Sequence, residues 1–245
     1  MLDAAAPDLA ERAALRKLDA PLPAAALGAR SPALPVRPEL HDLLPGGLRR
    51  GSTVSVTGSL SLLLALLAEA SVAGAWCVLV DLPVGSMTRL GAEAARDFGI
   101  ELDRLPVVPA AGESWTNVVG ALLDAFDVVA ARAPARLADG DLRRLAARAR
   151  ARDSVLLPFL GSADAAGGRW PMADLRLTAQ PGAWSGIGVG HGRLARRRMQ
   201  VSVEGRGHAA RTREVTVWLP GSSGGVEPYD VAPVVELSEV RRSAG

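Results

Sequence analysis

The stretch that most constrains this chain runs from Leu43 to Glu69, LLPGGLRRGSTVSVTGSLSLLLALLAE. Ser52–Thr57 alternates like a buried strand, Gly58 ends it, and an almost wholly apolar helix begins near Ser61. Strand, glycine and helix in that order make the frame of a phosphate-binding loop. Such a loop needs glycines so that backbone N–H groups can approach the phosphates. It also needs a lysine for the β/γ-phosphates and a Ser or Thr hydroxyl for Mg²⁺. Counting G-x-x-x-x-G-K-[ST] from Gly58 puts Leu63 at the second glycine, Leu64 at the lysine and Ala65 at the hydroxyl. The frame is present and its phosphate chemistry is missing.

The segments that follow alternate between helical and strand-like patterns. Trp76–Asp81 is a strand, Thr88–Phe98 a helix stopped by Gly99, and Leu105–Val108 a short strand. Glu113–Ala125 is a helix with an apolar face of Val118, Val119, Leu122 and Leu123, and Phe126–Ala131 is a buried strand. Asp141–Arg152 (DLRRLAARARAR) has Leu142, Leu145, Ala146 and Ala149 on one face, with Asp139 or Asp141 available to cap its start. Ser154–Gly161 is the next strand. From Asp174 the period changes to two: Asp174–Ala179 is a strand, and Met199, Val201 and Val203, then Val215, Val217 and Leu219, alternate with polar or outward positions. The expectation is an α/β fold, a mostly parallel sheet flanked by helices and extended by C-terminal antiparallel strands.

The run Leu40–Gly58, LHDLLPGGLRRGSTVSVTG, resembles the entry to the RecA/Rad51 recombinase core. The order of segments from about residue 34 to 226 is similar as well. That resemblance puts Pro83 where the family carries its catalytic Glu and Gly161 where it carries a nucleotide-sensing Gln. It puts Arg132, in a Walker B-like strand (Asp127–Arg132), where the Mg²⁺-associated Asp belongs. Together with Leu63, Leu64 and Ala65, these losses imply a RecA-like core without ATPase activity, nucleotide cofactor or metal. Within that group the chain resembles the actinobacterial ImuA-prime (SulA-like) proteins, accessory components of a DNA-damage-induced mutasome. The resemblance implies a role in SOS-type translesion synthesis and mutagenesis. It implies binding to an ImuB-type Y-family pseudo-polymerase, and through it to the β clamp and a DnaE2-type polymerase. Two other readings stay open: a RecA paralogue binding DNA, and a SulA-like cell-division inhibitor.

Composition limits the rest. The length of 245 residues fits one core with tails. Residues 1–20 form an amphipathic helix, 21–33 a Pro-rich linker, 34–220 the RecA-like core and 221–245 a flexible tail. Aromatics are 4% of the chain, so Leu, Val and Ala must fill the core. The lone cysteine, Cys77, sits in an apolar strand; it makes no intrachain disulfide and suits a reducing cytoplasm. Leu60–Val80 has the length of a membrane span, but Gly74 divides it into a helix and a strand. The expected location is cytoplasmic, nucleoid-associated on DNA damage. His41, His191 and His208 lack metal-ligand spacing, and no nucleophile–base set stands out.

Charge is unevenly placed. Residues 141–213 hold 14 arginines against five acidic residues, although the whole chain is only +2. Arg143, Arg144 and Arg148 on the basic helix either contact phosphates or form a solvated face. The run Arg193–Arg198, containing Arg193, Arg196, Arg197 and Arg198, either grips a phosphate backbone or acidic partner, or guards a sheet edge. The terminal segments offer two apolar candidates for partner contact: Leu9, Leu15 and Leu18, and Val234, Val235 and Leu237.

Overall fold

The computed structural model describes residues 32–82, 92–161, 170–187, 192–205 and 212–229. Within these the elements are β1 (Val54–Thr57), α1 (Leu60–Val72), β2 (Cys77–Val80), α2 (Ala92–Asp97), β3 (Val107–Val108), α3 (Trp115–Leu123), β4 (Val128–Arg132), α4 (Asp139–Ala151), β5 (Val155–Phe159), β6 (Leu175–Ile187), β7 (Gly192–Gly205), β8 (Arg213–Trp218) and β9 (Glu227–Pro228). All the strands join one sheet in the order β3-β2-β4-β5-β1-β6-β7-β8-β9. Pairing is parallel from β3 through β6 and antiparallel from β6 to β9. The expected architecture, a mostly parallel sheet with an antiparallel extension, is the one observed.

The sequence accounts for the two-sided core. β2, β4 and β5 read as near-continuous apolar runs because both of their faces are covered. One face packs on α1 and α2, together with the inward residues of β6, β7 and β8. The other packs on α3 and α4 through Trp115, Val119, Leu123, Leu142 and Leu145. Helix α1 is apolar nearly all round, and such a helix must be buried all round. Its second cover is the segment 34–48, whose Leu34, Val36, Leu40, Leu43, Leu44 and Leu48 join the same core. Leu34 and Leu48 bridge to close this strap, and Arg37 Nη1 donates to Glu69 Oε1 at 2.9 Å, satisfying the one charge on α1. Among the described residues no helix is long and apolar enough to cross a membrane.

At the amino ends of the strands, Asp127 acts as a clamp. Its carboxylate accepts from Arg50 Nη1 at 2.6 Å and from the Trp76 backbone N–H at 2.9 Å. It thereby ties the approaches to β1, β2 and β4 together.

Three expectations need correction. The caps proposed for α4 do not form: Ala138 is the N-cap residue, and Asp139 and Asp141 lie in the first turn, where they favour the helix dipole and pair with Arg143 and Arg144. The strand expected to stop at Ala179 continues to Ile187, because register shifts after Pro181 and Ser185 absorb the turn-forming residues as bulges. The C-terminal tail does not begin at 221: Val226 is buried in the core and Glu227 pairs with Trp218 in β9, so Gly221–Tyr229 closes the sheet.

Candidate functional site

In an open parallel sheet, ligands bind outside the carboxyl ends of the strands. Here β1 leads into α1 through Gly58 and Ser59 alone. Gly58 has φ +95°, and a Cβ at this position would overlap the carbonyl oxygen of Ala179 in β6. Its N–H donates to the Gly161 carbonyl at 2.7 Å, so the amide is turned into the sheet. Ser59 caps α1, its Oγ accepting from Leu62 N–H at 3.4 Å. The short turn places Leu63, Leu64 and Ala65 in the second turn of α1, facing core; Leu64 is 1% exposed. These positions therefore do more than lack the phosphate-binding groups. They are wound into a buried helix, with β6 pressed on the glycine.

The neighbouring strand ends follow suit. Asp81, at the end of β2 with φ +51°, accepts the Ala111 N–H at 2.7 Å and so fixes the passage from β3 to α3. Sequence reading had not singled it out; an aspartate closing an apolar strand was the available signal. Arg132 ends β4 with its side chain exposed, and Gly161 follows β5. Pro83 lies outside the described residues, as do Leu9, Leu15, Leu18, Val234, Val235 and Leu237. His41 Nε2 sits 3.1 Å from the Val36 carbonyl, an ordinary donor's position, while His191 and His208 are outside the described residues. No group of three or more potential metal ligands forms among the described residues.

The two arginine sets separate on inspection of their partners. On α4, Arg143 pairs with Asp139 at 3.8 Å and Arg144 with Asp141 at 3.4 Å. Arg148 and Arg152 share Asp124, at the end of α3. The Arg148 hydrogen bond, more than burial opposes it, holds the Asp124 carboxyl below its usual range. Arg196 and Arg197 instead meet aromatic rings. The Arg196 guanidinium carbon lies 4.1 Å from the Trp218 ring centroid, and that of Arg197 lies 5.5 Å from Trp184. Tyr229 approaches Trp218 at 5.1 Å. The sequence reading named these arginines but not the tryptophans: Trp184 lies 13 positions from Arg197 and Trp218 22 positions from Arg196, and each meets its arginine only through strand pairing.

Residues 42–170 match the family model described as MT3502 N-terminal domain. The chain belongs to that family. The match spans the end of the strap, α1 and the parallel strands through β5, leaving the antiparallel extension outside it. Rv3395c, an uncharacterized protein of Mycobacterium tuberculosis, is 31% identical over 176 residues, 67% of this chain and 80% of that protein. Among solved structures, the RadB recombinase is similar with a TM-score of 0.58 over 79% of this chain and 97% of its own, at 14% identity. The MT3502 N-terminal domain is thus set, in this chain, within a RecA-like fold.

Proposed function

We propose that this chain is a non-catalytic RecA-family accessory protein of a DNA-damage-induced mutasome. In this reading it supports error-prone translesion synthesis by binding an ImuB-type Y-family pseudo-polymerase. The observation that carries the non-catalytic half is the altered nucleotide frame: Gly58 packs against the Ala179 carbonyl of β6, and Leu63, Leu64 and Ala65, at the phosphate-binding positions, are core. The partner half rests on the resemblance of the core and its basic hairpin to the ImuA-prime proteins, within the wider RecA-like resemblance carried by Leu40–Gly58 and the segment order.

Two experiments test the halves separately. Titration with a fluorescent ADP analogue and Mg²⁺ is expected to give no saturable signal; saturable binding would overturn the non-catalytic half. Leu64→Lys is expected to show no hydrolysis, since positions 83 and 132 still supply proline and arginine. It should also lose about 3–5 kcal/mol of stability, because the ammonium would be buried without a partner. For the partner half, the purified chain should co-elute with the Y-family pseudo-polymerase of its own genome. Inhibition of a tubulin-like division GTPase instead would replace this reading with the SulA-like one.

A further inference from the structure

β6 and β7 pair beyond the rest of the sheet. Thr57, the last residue of β1, is level with Thr178, so the pairs Trp184↔Arg197, Ser185↔Arg196 and Ile187↔Gly192 belong to a β6–β7 ribbon standing past the carboxyl edge of the parallel strands. Gly186, with φ +104°, sits in the second bulge with its Cα against β7. The ribbon carries Arg193, Arg196, Arg197 and Arg198, and no acidic residue occurs anywhere between Leu175 and Val203. Among the described residues none of these four arginines pairs with a carboxylate, whereas Arg143, Arg144 and Arg148 on α4, and Arg152 just past it, do. The nearest acids are engaged: Glu204 by Arg176, Glu214 by Gln200, and Glu227 by the hydroxyls of Ser222 and Ser223.

The ribbon also holds aromatic surface on both faces. Trp184, 41% exposed, lies beside Arg197; Trp218, with Tyr229 behind it, supports Arg196 on the opposite face. Among the described residues no helix covers that second face across β6–β8, because the core formed by α3 and α4 includes no residue of these strands. Arginines placed only to discourage edge pairing would not need the exposed Trp184 beside them, which works against that purpose. On the β7 edge, strand addition by a peptide is blocked at Arg197 and Arg198. The Arg197 N–H donates to Pro220 and its carbonyl accepts from Leu219, and Arg198 pairs with Trp218. What remains available is side-chain chemistry: flat rings, flat guanidinium groups and unneutralised positive charge.

We infer that the β6–β7 ribbon is a binding site for single-stranded nucleic acid, independent of nucleotide. Trp184 and the guanidinium faces of Arg196 and Arg197 stack on bases, and Arg193 and Arg198 contact phosphates. Stacking tolerates any base, and a single strand, unlike a duplex, presents its bases for it.

The test is fluorescence anisotropy of the full chain with a labelled oligothymidylate of about 20 nucleotides, over a salt series without ATP. Binding should be tighter than to a duplex of equal length. Trp184→Ala should weaken it about 5- to 100-fold. Arg193→Ala with Arg198→Ala should reduce the slope of log K against log salt by about 1.4. Arg143→Ala with Arg144→Ala should leave both unchanged, and circular dichroism checks that each variant is folded. Absence of salt-dependent binding, equal affinity for the duplex, or indifference to the folded ribbon variants would overturn the inference. So would a Glu-rich peptide that binds the ribbon more tightly than the oligonucleotide, which would assign it to an acidic protein segment. Binding that ATP strengthens would uphold the ribbon site while overturning the non-catalytic reading above. Failure of the oligonucleotide alone leaves that reading intact.

Discussion

At Gly58, alanine would need a positive φ that L-residues avoid, and its Cβ would press on the Ala179 carbonyl. Gly58→Ala should therefore cost about 2–4 kcal/mol, seen as a lower urea midpoint with an unchanged m-value. Cys77 is a second case in which one residue reports on its surroundings. Burial, reinforced by the negative charge of Asp127, pushes its thiol from 9.0 up to about 12. Above pH 9 the unfolded chain then releases this proton while the native chain keeps it. Stability is complete below pH 9 and falls by up to about 1.4 kcal/mol per pH unit as pH rises toward 12. Cys77→Ala should lack that decline in urea titrations at pH 8 to 10, measured beside the parent chain. The buried state of Cys77 was legible in the sequence, because an apolar strand leaves a small thiol little else to do. The overlap at Gly58 was not legible. It depends on Ala179, 121 positions away, and on the pairing of β1 with β6.

Elements show where pattern reading succeeds and where it stops. Periodicity located α1, α3 and α4 and the runs of β1, β2, β4 and β5, since each has one strongly preferred burial pattern. It missed the upper half of β6, because Pro181, Gly182 and Gly186 look like turn residues until bulges carry the ladder past them. It left the basic helix open between two meanings, and the deciding partner, Asp124, sits at the end of a different helix. Asp124→Asn tests that arrangement. The native carboxyl is held below its ordinary 3.8 by the Arg148 hydrogen bond. Its contribution is thus present above that pH and is lost as pH falls through the lower native value. The variant should be less stable than the parent at neutral pH and show a flatter acid limb in chemical denaturation between pH 5 and about 2.

For the whole molecule, the boundary between sheet and tail is a matter of one buried valine and one short strand. A chain ending at Pro220 discards Val226 and β9 and should be at least about 2 kcal/mol less stable than one ending at Tyr229, seen as a lower midpoint in thermal melts. The same wrapping has a consequence during synthesis. The leucine-rich α1 is made early, yet its covering surfaces include Val217 and Leu219, about 145 residues further along. At synthesis rates of about 5–20 residues per second that interval is about 7 to 30 s. Through it the core that α1 shares with the strap and the parallel strands remains incomplete on the side the C-terminal strands finally close. Chaperone demand on the ribosome is written into the order of this sheet.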